Sequence, residues 1–232
     1  MVLIVQITIL VLLVYAAGLV FIYFPYPSPL VRVFLPARKR WPEAQIRDWL
    51  VNGRFQKSYL RYFYRDPERR APAGSSLLAP ADGLVTSTEV KDGVRYLVIA
   101  LSFWDMHVQR CPFPGRVASV EALGDIYTDG EGREFAFLRK KKCPVQKRLL
   151  LDTGFGQIAV RFITSVAARR IQVWVERGQE LTRGQRIGRI LLGSTVVLEL
   201  PPGCPLSVNT GDRVWAGLSE VVDSVCIDKL NH

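Results

Sequence analysis

The chain has 232 residues, with 31 Lys and Arg against 21 Asp and Glu and a formal net charge of +10, room for one ordinary domain and an accessory segment. No nucleic-acid-binding motif accompanies that charge, so the partner it favours is a membrane surface, whose anionic headgroups attract basic clusters, and not nucleic acid. Two histidines, one of them the terminal His232, and four cysteines without metal-ligand spacing argue against a zinc site; no metal is expected, and the cysteine usage suits a reduced cytoplasmic domain.

Residues 1–24 carry no charged side chain. As a helix they span about 36 Å, enough to cross a bilayer core. A cleaved signal peptide fits less well, because no Lys or Arg precedes the apolar run and the run is too long. Arg32, Arg38, Lys39 and Arg40 follow at once, and the positive-inside rule places the rest of the chain in the cytoplasm. The expectation is a single-pass anchor in the cell membrane.

Residues 25–76 read as a linker. Pro25, Pro27, Pro29 and Pro36 make a stiff exit, and the stretch from Pro42 to Asp66 has helical composition with interleaved aromatic and basic residues. An interfacial helix and a helix packed on the domain core are both open. "RDPERRAPAGSS" (65–76) reads as a loop, and the globular domain is expected from Leu77 to His232.

That domain is mainly β. "RYLVIALSF" (95–103), "GRVASVEAL" (115–123), "RLLLDTG" (148–154), "GQIAVRFITSV" (156–166) and "IQVWVE" (171–176) are short, β-rich and punctuated by Gly or Pro. A pattern G-x-x-[LV]-x-x-G recurs at Gly178–Gly184 and Gly211–Gly217, which suits paired tight turns around one buried aliphatic residue. These turns look like those of biotinyl- and lipoyl-carrier domains. The predicted fold is a compact β-sandwich or barrel-like catalytic domain with carrier-like turns, behind an N-terminal transmembrane helix.

Three residues stand out for chemistry. Ser194, in "LLGSTVVLEL" (191–200), opens a β-branched apolar run; a Gly-Ser pair is commonly a plain turn, or it holds a nucleophile. His107 is the one histidine inside the chain and titrates near neutrality when unperturbed. Asp82, in "LAPADGLV" (78–85), precedes a glycine and makes a turn, or it orients a histidine. The order Asp82, His107, Ser194 also occurs in subtilisin-type proteases, which keeps a membrane-anchored serine hydrolase open beside a non-catalytic carrier-like domain.

Taken together, "PADG", "SFWDMHVQR", "AARRI", "RGQRIG" and "LGST", in this order over residues 77–217, resemble the short form of phosphatidylserine decarboxylase. The resemblance implies a proenzyme that cuts itself between Gly193 and Ser194 into chains 1–193 and 194–232, held together as a heterodimer. Asp82, His107 and Ser194 are then the triad. Ser194 attacks the Gly193 carbonyl while His107 takes its proton, the ester eliminates, and hydrolysis leaves a covalent pyruvoyl group derived from Ser194. This cofactor is an electron sink for decarboxylation, here of phosphatidylserine or a related serine phospholipid to phosphatidylethanolamine and CO2. Partners implied are the phospholipid and the membrane; a homo-oligomer is left open. The chain departs from the family pattern at Gln109, where Asn is usual, at Pro112–Gly115, at "KKKCPVQKR" (140–148), and at Thr164 and Ser165, which replace an Ala-Gly pair. Arg169 and Arg170 suit either a substrate phosphate or solvent.

Overall fold

A computed structural model describes residues 2–23, 34–124, 145–164, 170–191 and 194–223. They group into two units, 1–51 and 52–232. In the first, α1 (Val2–Tyr23) carries no charged residue and is long and apolar enough to cross a membrane. A single turn, α2 (Ala37–Arg40), and α3 (Glu43–Asn52) follow, the latter with an Arg47–Glu43 ion pair of 2.7 Å one turn apart.

The stretch from Pro42 to Asp66, read from sequence as one helical region, forms two helices. Gly53, with φ of +67°, ends α3, and α4 (Lys57–Phe63) starts afresh in the second unit. Tyr59 and Phe63, four residues apart on one helix face, are buried, and the Tyr59 and Tyr62 hydroxyls donate to the carbonyls of Phe103 and Trp104 at 3.2 and 3.0 Å.

The second unit is mainly β, with a curled half-barrel sheet. Its strands are β1 (Leu77–Leu78), β2 (Gly83–Ser87), β3 (Val90–Lys91), β4 (Val94–Leu101), β5 (Val108–Arg110), β6 (Gly115–Leu123), β7 (Gln146–Thr153), β8 (Gly156–Thr164), β9 (Arg170–Val173), β10 (Glu180–Leu181), β11 (Arg186–Leu191), β12 (Ser194–Leu200), β13 (Arg213–Val214) and β14 (Glu220–Val222). The large sheet has the order β10-β6-β7-β8-β12-β4-β2-β13, with β3 hairpinned on β4. The alternation of β4, β8 and β12 explains their near-continuous apolar sequences. Leu97, Ile99, Val160, Phe162, Val196 and Leu198 enter the main core, while Tyr96, Val98, Ile163 and Val197 form a second cluster. Each fully buried Val, Leu or Phe contributes about 1.5–3 kcal/mol. On β12, Glu199 pairs with Arg161 of β8 and, at 2.8 Å, with Arg148 of β7.

The sheet order is a palindrome of equivalent strands. From one end it runs β13-β2-β4-β12 and from the other β10-β6-β7-β8, and the small sheets repeat the relation, β1 on β14 against β5 on β11. The sequence repeat lies in this pseudo-twofold. Gly178, Gly184, Gly211 and Gly217 all have φ between +72° and +100°, a region costly for residues with a Cβ, and the central Leu181 and Val214 are buried. The bonding is duplicated as well. Gly178 and Gly211 donate to the carbonyls of Val117 and Val85, both at 2.8 Å, and Gly184 and Gly217 donate to those of Cys111 and Ala79 at 2.8 and 2.9 Å. Leu78 N–H donates to the Pro112 carbonyl, and Arg110 N–H to the Pro80 carbonyl, each at 2.9 Å. Pro80–Gly83 and Pro112–Gly115 are therefore equivalent turns.

Candidate active site

The register gathers the sequence-predicted residues at one end of the large sheet. Ser194, first residue of β12, pairs with Leu101 on β4 and Thr164 on β8. On the far side of β4, β2 pairs Leu84 with Ala100, so Gly83, and Asp82 before it, lie at that same end. The chain leaving β4 after Leu101 turns at Ser102–Asp105 and reaches His107 just before β5. The His107 carbonyl accepts from Ile190 N–H at 3.2 Å, near the end of β11, the strand that leads to Ser194. Gly193, Ser165 and Arg169 lie outside the described residues, as does all of 140–148 except its last four positions; Arg170 is exposed on β9.

Asp82 is buried and fully engaged. Its Oδ1 accepts from Arg69 Nη1 at 2.6 Å and from the Ala216 amide at 2.8 Å, and its Oδ2 accepts from Arg69 Nη2 at 2.9 Å. Such a bidentate pair fixes orientation as well as charge. Arg69 also donates to the Ala216 carbonyl at 2.8 Å and touches the Met106 sulfur at 3.4 Å, linking the Asp82 turn to the residue before His107.

His107 is 1% exposed. Its Nδ1 lies 3.0 Å from the Asp105 carbonyl. A carbonyl only accepts, so Nδ1 carries the proton and Nε2 keeps its lone pair. Nε2 is buried and has no hydrogen-bond partner among the described residues. Phe63 lies against the ring, centroids 4.4 Å apart. Burial is the main cause that pushes the His107 pKa down to about 4, so the ring is neutral at pH 7. The Asp82–His107 contact expected from sequence is not among the hydrogen bonds of the described residues, because Arg69 and Ala216 take Asp82 and the Asp105 carbonyl takes Nδ1.

Sequence reasoning missed the supports. Asp105 Oδ2 accepts from Ser102 N–H and Oγ–H at 2.7 and 2.6 Å, and Oδ1 pairs with Arg213; these bonds shape the turn that presents the Asp105 carbonyl to His107. The loop 65–76 is a strap tied down by charge. Arg110 meets Asp66 at 2.9 Å and Arg186 meets Glu68 at 2.8 Å, Arg69 holds Asp82, and Arg183 donates to the Ser76 carbonyl at 2.7 Å. The signal was the charge density of "RDPERR", which composition alone reads as solvated. Gln109, two residues beyond His107, is buried with an unpartnered amide among the described residues.

Residues 57–221 match the family model for phosphatidylserine decarboxylase. The chain is similar to a protein of Archaeoglobus fulgidus assigned as an archaetidylserine decarboxylase proenzyme, 36% identical over 159 residues that cover 68% of this chain and 75% of the relative. It is also similar to the phosphatidylserine decarboxylase proenzymes of Streptomyces coelicolor, 34% identical with 70% and 72% covered, and of Solibacter usitatus, 32% identical with 69% and 76% covered. The match takes in the strap, the Asp82 turn, the His107 segment and the start of β12, and on it the chain belongs to the phosphatidylserine decarboxylase family of carboxy-lyases.

Proposed function

We propose that this chain is a proenzyme that cleaves itself between Gly193 and Ser194 and then, as a pyruvoyl enzyme, decarboxylates a serine phospholipid at the membrane. The observation that carries the reading is the state of His107. Its Nδ1–H is committed to a backbone carbonyl, and its Nε2 is buried, unprotonated and without a partner among the described residues, beside the strand that leads to Ser194. That is the form a general base needs.

In the cleavage, Ser194 Oγ attacks the Gly193 carbonyl and its proton passes to His107 Nε2. The peptide becomes an ester, elimination releases chain 1–193 as a carboxylate, and water exchanges for ammonia at the new N-terminus of 194–232. The pyruvoyl group so formed supplies a conjugated carbonyl that takes up the electrons left by departing CO2. Its site fits. Ser194 is paired on both sides, with Leu101 and Thr164, and His107, whose carbonyl accepts from Ile190 N–H, is the proton relay of this reading. Asp82 acts through Arg69, whose charge it balances while both fix the turn next to the Met106–His107 segment. The relatives are named for phosphatidylserine and archaetidylserine, lipids that share a seryl headgroup, so the headgroup is the recognised element. In this reading α1 holds the chain in the cell membrane with the β domain on the cytoplasmic side.

The test is intact mass. Wild-type protein yields a 39-residue fragment (194–232) lacking the serine nitrogen, and releases CO2 from phosphatidylserine vesicles; Ser194→Ala stays full length and inactive. Decarboxylation by a wild-type chain that remains one full-length species overturns the proposal.

A further inference from the structure

Three large apolar side chains are exposed on β2 and the turn after β13: Leu84 at 39%, Trp215 at 50% and Leu218 at 38%. They are neighbours by construction. Leu84 pairs with Arg213 across β2 and β13, Trp215 follows directly after the end of β13, and Leu218 N–H donates to the Trp215 carbonyl at 3.0 Å. The turn adjoins the site, because Ala216, between Trp215 and Leu218, gives its amide to Asp82.

The pseudo-twofold supplies a control. In the equivalent turn of the other half the backbone pairing is the same, Arg116 against Glu180, and the positions matching Leu84, Trp215 and Leu218 hold Arg116, Thr182 and Gln185. The fold therefore does not require apolar side chains there. They occur only in the half that carries Asp82. Exposed apolar surface near a site marks a docking face, and Trp is at home at a membrane–water boundary. A second exposed group has the same character. Arg189 lies between the rings of Tyr64 and Trp174, 5.2 and 5.5 Å from their centroids, and Tyr64 packs on Phe63, which covers His107.

We propose that Leu84, Trp215 and Leu218 form the surface on which the β domain seats itself on a lipid bilayer, bringing the site to its lipid. The occupant is a bilayer and not a second copy of the chain, because Arg213, the cross-strand partner of Leu84, stays 42% exposed beside its Asp105 partner and, with the net charge of +10, suits anionic headgroups, and because the chain carries its own apolar helix. The inference rests on the functional reading above.

Full-length protein is reconstituted into vesicles of phosphatidylserine and phosphatidylcholine with brominated acyl chains, which quench tryptophans at bilayer depth. Trp215→Phe loses a quenched component of the emission, and Leu84→Ser/Leu218→Ser, which keeps Trp215, reduces it. In that double variant KM for vesicle phosphatidylserine rises about tenfold, while kcat, self-cleavage and turnover of a dispersed short-chain phosphatidylserine stay at wild-type values. Trp215 emission insensitive to bromine, equal loss on both substrates, or shielding of Trp215 within a dimer overturns the proposal. A chain that neither cleaves itself nor releases CO2 overturns the functional reading alone, since quenching still decides the surface.

Discussion

The turns Pro80–Gly83 and Pro112–Gly115 have equivalent places, equivalent backbone bonds and different chemistry. Both hand a strand to the large sheet, and both end in a glycine pressed on a carbonyl of the neighbouring strand, Ala100 in one half and Asp152 in the other. Where one half has Asp82, buried and triply bonded, the other has the exposed Pro114. Four residues before the shared docking points Ala79 and Cys111, one half has the exposed Ser75 and the other the buried His107. The comparison separates folding from function. A turn of this shape forms without a carboxylate, so Asp82 is not there to make the turn. The candidate site would draw its histidine from one half and its aspartate from the other, and so lies across the relation between them.

The largest expected effect breaks this comparison most directly. Asp82→Ala leaves the Arg69 guanidinium, only 8% exposed, without its counter-charge, and stranding a buried charge costs about 3–5 kcal/mol. Pro114→Ala, at the equivalent but exposed position, shifts stability by no more than about 1 kcal/mol. Urea unfolding of both variants measures the difference. Removing Arg69 together with Asp82 recovers part of the loss, because no charge is then stranded. Equal midpoints for the two single variants make Asp82 a turn former like Pro114.

Next comes pH. His107 has a folded-state pKa near 4, against about 6.5 in an unfolded chain. Between these values the unfolded chain binds a proton that the folded chain refuses, so stability rises with pH in that window. It is fully present above about pH 6.5 and falls by on the order of 3 kcal/mol as pH drops towards 4. His107→Gln lacks this loss, and the difference between its unfolding curve and that of the wild type, followed from pH 7 to 4, isolates it. In folded His107→Gln the 39-residue fragment forms about 10²–10⁴-fold more slowly. Ser75→Ala, at the equivalent position, changes neither the pH dependence nor the cleavage. A His107 that titrates near 6.5 in the folded chain removes the argument for a buried neutral base.

What the sequence made legible follows from what is local. Strand positions came from β-branched runs and Gly or Pro punctuation; β6 spans the predicted residues, β8 follows its predicted run as far as Thr164, beyond which 165 and 166 lie outside the described residues, and β4, β7 and β9 differ at their ends. The G-x-x-[LV]-x-x-G repeat marked the turns, but their pseudo-twofold depends on long-range bonds that no spacing encodes. The same holds at the site. Ser194, His107 and Asp82 were found as motif residues, whereas the partner of Asp82 is Arg69, from a segment whose Arg, Asp and Glu look solvated until the sheet supplies counter-charges. His107 is oriented by a backbone carbonyl, which has no side-chain signature. Asp105, two residues away, acts through the turn it closes.

The smallest expected effect tests whether the halves are equivalent in packing as well as in bonding. A Cβ on Gly83 would collide with the Ala100 carbonyl, and one on Gly115 with the Asp152 carbonyl. In each case the obstacle is backbone of the next strand, which yields only by moving the strand. Gly83→Ala and Gly115→Ala should therefore cost similar amounts, about 1–3 kcal/mol for overpacking of this kind, read from thermal or urea midpoints. Their functional consequences part. Displacing residue 83 moves Asp82 away from Arg69 and the Ala216 amide, so the folded fraction of Gly83→Ala forms the 194–232 fragment more slowly than wild type. Displacing residue 115 disturbs a turn with no side chain in the site, and the folded fraction of Gly115→Ala cleaves at the wild-type rate. Slow cleavage in both variants would mean that strand displacement in either half reaches Ser194 through the sheet. The special standing of the Asp82 turn would then be lost, whatever the stabilities show.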